Sequence, residues 1–126
     1  MADLLRSVTI NCEVDFIKVS SYSGKKSSGT IKLLKDISSD IKGRDVIIVE
    51  DIIDTGLSIK FLYERIMCAY PKSFAIATFL NKSRKAKLDF PIDFIGFEIP
   101  HKFVVGYGLD FNQKIRHLDG LYYIPD

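Results

Sequence analysis

Three carboxylates fall within five residues in Glu50-Asp51-Ile52-Ile53-Asp54, and Thr55-Gly56-Leu57-Ser58 follows at once. An adjacent pair such as Glu50-Asp51 suits two partners. Each carboxylate can accept hydrogen bonds from the vicinal hydroxyls of a sugar, and the pair offers hard oxygen ligands to a divalent cation. The small-residue turn after it suits an anion. If a helix starts there, its first N–H groups lack internal partners and its dipole places partial positive charge at that end. Thr55, Gly56, Leu57 and Ser58 could then wrap a phosphate with backbone N–H groups and two hydroxyls, Gly56 allowing close approach. A blander reading is an ordinary turn whose acids are solvated and whose Asp54 or Thr55 caps the helix. Acids so closely spaced repel unless something positive binds among them, which favours the binding reading. No Gly-x-x-x-x-Gly-Lys-Ser/Thr occurs, which argues against a P-loop nucleotide hydrolase.

The elements that must position this cluster are legible on either side. Asp45 to Asp51 holds a run of four β-branched residues and predicts a strand buried on both faces, as in a parallel sheet. Ser58 to Ala69 predicts a helix with Ile59, Leu62, Tyr63 and Ile66 on one face, stopped by Pro71. Ser73 to Leu80 and Phe94 to Phe97 predict further strands, with a basic loop from Asn81 to Lys87 between them. Upstream, Met1 to Ile10 predicts a short amphipathic helix and Val14 to Val19 a strand. Ser20 to Gly29 is polar and glycine-bounded, a surface loop. Ile31 to Ile41 predicts a strand and then one helical turn. The aromatic-rich tail closes with a strand at Leu121 to Ile124. Strands alternating with helical stretches give a single α/β domain over residues 1–126 with a mostly parallel sheet flanked by helices. In such sheets ligands sit beyond the carboxyl ends of the strands, where the acidic turn falls.

Composition excludes several classes. The chain has 126 residues, 47% of them hydrophobic and 27% charged, and a formal net charge of +2. That is the composition of a globular domain, without the concentrated basic face of a nucleic-acid binder. No apolar run reaches the roughly 20 residues that span a bilayer, and Asp3 and Arg6 interrupt the start where a signal peptide needs its apolar stretch. Cys12 and Cys68, far apart and outside any CxxC, read as buried thiols of a reducing compartment. A cytoplasmic protein is expected.

The hydrophobic run, Glu50-Asp51, two apolar residues and Asp54-Thr55-Gly56 closely resemble the phosphoribosylpyrophosphate (PRPP) motif of type I phosphoribosyltransferases, specifically the hypoxanthine-guanine family. Phe97-Glu98-Ile99-Pro100 and Lys102-Phe103-Val104-Val105-Gly106-Tyr107-Gly108-Leu109-Asp110 resemble that family's purine-binding tail. Ser21-Tyr22 matches its flexible catalytic loop. The resemblance covers nearly the whole chain. It implies the type I phosphoribosyltransferase fold and a reaction of purine salvage. A 6-oxopurine such as hypoxanthine or guanine, with PRPP, gives IMP or GMP and pyrophosphate. It also implies magnesium as cofactor and a homodimer or homotetramer, with no nucleic acid or membrane as partner.

Carried over by position, the resemblance implies a role for each residue. Glu50 and Asp51 would hold the ribose hydroxyls and magnesium-bound PRPP. Asp54 would be the general base that takes a proton from the purine ring. Thr55, Gly56, Leu57 and Ser58 would cradle the 5′-phosphate, Leu57 standing where some family members place a lysine. Lys82 would bond the exocyclic oxygen of the base, Phe103 would stack on it, and the Val104 backbone would read its edge, with Lys102 beside them. Asp110 would ligate a second magnesium and Arg116 would meet the pyrophosphate. Without the resemblance, Lys82 reads as a solvated loop lysine, Phe103 as core packing and Arg116 as half of a surface ion pair.

One departure matters. Family members carry an upstream strand and a pyrophosphate-binding loop, whereas this sequence opens on a stretch resembling the helix after that loop. The expectation is therefore a fold whose N-terminal strands are missing, from a product truncated at that end. The rival reading is a regulator or weakly active relative that binds PRPP or nucleotide without turnover; Asp54 favours the enzyme, because a sensor needs no base.

Overall fold

A computed structural model describes residues 1–21, 30–82 and 88–124. Along the chain these form α1 (Ala2–Ser7), β1 (Lys18–Ser21), β2 (Ile31–Lys35), β3 (Asp45–Ile53), α2 (Leu57–Met67), β4 (Ser73–Asn81), β5 (Phe94–Glu98), β6 (Val104–Val105) and β7 (Tyr122–Tyr123). The central sheet has the order β3-β4-β5. Both of its pairings are parallel. β1 with β2 and β6 with β7 form small antiparallel pairs.

The core follows from periodicity. Ile59, Leu62 and Ile66 recur at helical spacing on α2 and are buried against Ile48 and Ile53 of β3 and Ile76 of β4. Tyr63 and Phe90 stack at 4.2 Å at the rim of this cluster, and Phe74 meets Tyr63 edge-on. The expectation that β3 is buried on both faces is corrected: Ile47 is 60% exposed and Val49 38% exposed. Successive side chains of a strand point to opposite faces, and α2 covers one of them. All of β5 is exposed, as an edge strand with an open face.

Register brings three strand ends together. Ile53 pairs with Asn81, and Asn81 with Glu98, so β3, β4 and β5 finish side by side at their carboxyl ends. Gly96 is needed for this alignment. A Cβ there would stand 2.7 Å from the carbonyl oxygen of Phe79 on β4.

Other expected elements shift or shorten. α1 is formed but buries no residue. Residues 14–17 are not part of the ladder. Asp15 accepts the N–H groups of Phe16, Ser38 and Ser39 and the Lys35 ammonium, and these bonds hold its carboxyl far below the usual carboxylate range. The single helical turn expected after β2 is not formed; Asp36 instead receives Arg65 of α2, with Nε at 3.1 Å. Cys12 and Cys68 are free thiols, as expected, but both are exposed.

Candidate active site

The acidic turn lies where β3 gives way to α2. Gly56 is the N-cap of α2, buried and left-handed at φ +82°, and no side chain caps the helix. Neither Asp54 nor Thr55 takes the capping role of the bland reading. Thr55 Oγ1 accepts a long bond of 3.4 Å from the Leu57 N–H, and the first turn of α2 contains no acid. Thr55 and Leu57 are exposed and Ser58 is half-buried, so the first turn opens outward rather than under neighbouring side chains. An uncapped N-terminus with accessible N–H groups and hydroxyls is what a bound phosphate requires.

Asp54 pairs with Lys82 instead of capping the helix. The Lys82 Nζ donates to Asp54 Oδ2 at 3.0 Å, and the Lys82 N–H donates to the Ile53 carbonyl at 2.9 Å. Lys82 is 8% exposed, so it is not a solvated loop lysine. The other oxygen of Asp54, Oδ1, is buried and without a hydrogen bond, and His101 Nδ1 lies 3.6 Å from it. His101 is a residue that sequence reasoning passed over; it sits in a loop, where no periodicity marks a functional position. Asn81, the last residue of β4, was also passed over; it is 5% exposed with its side-chain Oδ1 unpaired, next in sequence to Lys82.

Four residues before Asp54, on β3, Glu50 is half-buried, and Asp51 after it is exposed. Burial, and then the charge of Asp51, push the Glu50 carboxyl up to about 7. A carboxyl held near neutrality beside a second carboxylate is a pair that a divalent cation would draw into its ionised form. Among the described residues no group of three or more His, Cys, Asp or Glu could hold a metal ion. Two carboxylates fit magnesium nonetheless, since that ion takes one or two protein carboxylates and completes its shell with water and substrate phosphates.

The tail contributes a second group. Asp110 and Arg116 meet each other: Arg116 Nη2 lies 2.9 Å from Asp110 Oδ1, while Asp110 Oδ2 accepts the Gln113 N–H at 2.7 Å. Arg116 also donates to the Gly108 carbonyl at 2.8 Å. Phe103 is 54% exposed and edge-on to Phe111, which is not core packing. Val104 is buried in β6, opposite Tyr123 of β7, and the Lys102 ammonium lies over the Tyr123 ring. Ser21 ends β1, but its side chain, and Tyr22, lie outside the described residues. So do most of the basic loop, 83–87, and most of the polar loop, 22–29.

A cleft of about 300 Å3 lined by Tyr63, Met67, Phe74 and Phe90 lies at the opposite, amino-terminal end of β4 and carries none of these groups. The chemistry gathers at the carboxyl ends of the strands instead. There the residues expected to act as base, sugar ligands, phosphate cradle and base-reading cation come from β3, its turn, α2 and the end of β4.

Comparison with known proteins identifies the family and the fold. A family model described as a phosphoribosyl transferase domain matches residues 1–112. The chain is 46% identical to the hypoxanthine-guanine phosphoribosyltransferase of Aquifex aeolicus, over all of this chain and 71% of that protein. A crystal structure of a hypoxanthine-guanine phosphoribosyltransferase from Bacillus anthracis superposes with a TM-score of 0.91 at 41% identity, covering 98% of this chain and 74% of the other. The hypoxanthine phosphoribosyltransferase of Trypanosoma cruzi, solved with its product IMP, gives a TM-score of 0.88 at 36% identity, covering 98% and 67%. With this fold and this sequence, the chain belongs to the phosphoribosyl transferase domain family, on its hypoxanthine-guanine branch.

Proposed function

We propose that the chain is a hypoxanthine-guanine phosphoribosyltransferase, forming IMP or GMP and pyrophosphate from a 6-oxopurine and PRPP. The observation that carries this reading is the Asp54 carboxylate tied to Lys82 at 3.0 Å beside the uncapped N-terminus of α2. A base next to a phosphate cradle suits a reaction in which a ring nitrogen loses a proton as it becomes bonded to a 5-phosphorylated sugar.

Each residue has a role in that reaction. Thr55, Gly56, Leu57 and Ser58 hold the 5′-phosphate. Glu50 and Asp51 take the ribose hydroxyls, and their negative charge stabilises the cationic character that develops at the sugar as pyrophosphate departs. Asp54 accepts the proton of the purine ring. Lys82 keeps donors to spare beyond the one given to Asp54, since an ammonium has three. It offers one to the exocyclic oxygen of the base; an amino group at that place would meet a donor with a donor, which disfavours adenine. Phe103 stacks on the base, the Val104 backbone reads its edge, and Lys102 lies beside them. Arg116 opens from Asp110 toward the pyrophosphate, freeing Asp110 to ligate a metal. For Ser21, the last residue of β1, and Tyr22, the resemblance alone supports a part in covering the site and keeping water from PRPP.

Glu50 and Asp51, and at a second place Asp110, would hold magnesium, which would supply charge neutralisation for the departing pyrophosphate. From the resemblance to the hypoxanthine-guanine family we further infer a cytoplasmic homodimer or homotetramer. The test is a coupled assay of pyrophosphate release with hypoxanthine, guanine and xanthine as acceptors. Turnover with hypoxanthine or guanine is expected. Binding of IMP or GMP without turnover would instead favour a nucleotide-binding relative that does no chemistry.

A further inference from the structure

Asp54 is held at one oxygen and unheld at the other. Oδ2 receives the Lys82 ammonium at 3.0 Å. Oδ1 is shut off from solvent and, among the described residues, accepts no hydrogen bond. A buried carboxylate oxygen without a donor is costly, and the group is then fixed by its Oδ2 bond alone. Nδ1 of His101 lies 3.6 Å from Oδ1, just beyond hydrogen-bonding range.

The backbone aims His101 there. Beyond the end of β5 the pairing runs on one step, the Ile99 N–H donating to the Asn81 carbonyl at 3.0 Å. The Lys102 N–H then turns back to the Pro100 carbonyl at 2.7 Å. An i to i+2 bond of this kind makes a three-residue turn, and His101 is its apex. The ring thus reaches Asp54 from β5 while Lys82 reaches it from β4. The His101 side chain is itself 55% exposed, and closing the bond requires a shift of only a few tenths of an ångström.

We propose that His101 is a positioning residue for Asp54. Its Nδ1–H closes on the buried Oδ1, so that the carboxylate is gripped at both oxygens and presents Oδ2, beside Lys82, to the base. The proposal rests on the reading of Asp54 as the proton acceptor. No proton passes through His101; its part is to fix the angle at which the carboxylate meets the purine N–H, and small errors of such angles are expensive in rate. Donation from Nδ1 also fixes the tautomer, leaving Nε2 as the unprotonated nitrogen of the neutral ring.

Two measurements test this. In steady-state kinetics with hypoxanthine, His101→Ala is expected to lower kcat about tenfold with the KM for PRPP unchanged, and His101→Asn, which keeps an N–H donor, to recover most of the loss. Wild-type kcat in His101→Ala overturns the proposal, as does a loss shared between kcat and both KM values that His101→Asn does not recover. Asp54→Asn is measured alongside: its full activity overturns the base reading and this inference with it. Loss in Asp54→Asn with none in His101→Ala overturns this inference alone. The second measurement needs no turnover. Nitrogen NMR of the histidine-labelled protein is expected to find the His101 proton on Nδ1 in the wild type and a shifted tautomer balance in Asp54→Ala. A proton on Nε2 in the wild type, or a balance indifferent to Asp54, contradicts the proposal.

Discussion

Lys82, the residue after β4, places its ammonium 3.0 Å from the Asp54 carboxylate across 28 residues of chain. The contact follows from register. Ile53 and Asn81 are paired at the ends of adjacent parallel strands, so the residues that follow them emerge side by side.

Lys82→Met tests the base-reading role proposed for Lys82. It keeps most of the side chain's length but removes the cation proposed to favour a 6-oxo group. Hydrogen bonds to charged groups contribute about 1.5–3 kcal/mol, so kcat/KM for hypoxanthine should fall roughly tenfold to a hundredfold. The preference for hypoxanthine over adenine should fall with it, measured as a ratio of the two kcat/KM values.

Glu50 makes a pH prediction. Its carboxyl is pushed up to about 7 by burial and by Asp51, against an ordinary value of 4.5. The folded chain therefore holds a proton there that the unfolded chain has lost, and stability should fall as pH rises from about 4.5 to about 7. Glu50→Gln should remove that fall, making the metal-free variant on the order of 2 kcal/mol more stable than the wild type at pH 8 and no more stable at pH 4. Urea unfolding at the two pH values is the measurement. The affinity of the wild type for magnesium-bound PRPP should rise through the same interval, and chelation of magnesium should abolish pyrophosphate release.

Two packing predictions concern the frame. Leu62 is fully buried between α2 and the sheet, so Leu62→Ala should cost about 2–5 kcal/mol in urea unfolding. Gly96→Ala places a methyl group 2.7 Å from the Phe79 carbonyl. It should destabilise by about 1–3 kcal/mol, and because β5 carries the chain to His101 and Phe103, activity should fall further than stability alone explains.

The β-branched run, the small-residue turn and the apolar face of α2 were readable in the sequence because each is a local pattern with its own period. The likeness of the stretch from Glu50 to Ser58 to a PRPP motif was readable for the same reason, being contiguous. Partnerships across the chain were not. Lys82 reads alone as a loop lysine, and only strand register makes it the partner of Asp54. His101 owes its place to a three-residue turn beyond β5, and the pairing of Asp110 with Arg116 to the hairpin-like turns of the tail, neither of which has a periodic signature. The expectation that β3 is buried twice over failed on packing: its residues are apolar on both faces, but α2 covers one.

The account stands or falls on Asp54 as the base at a phosphate cradle. Pyrophosphate release with hypoxanthine and PRPP, measured for the wild type and for Asp54→Asn, tests it most directly. The expected result is turnover in the wild type and a kcat lower by about 10²–10⁴ in the variant, with IMP affinity little changed. Equal rates in the two proteins would contradict it.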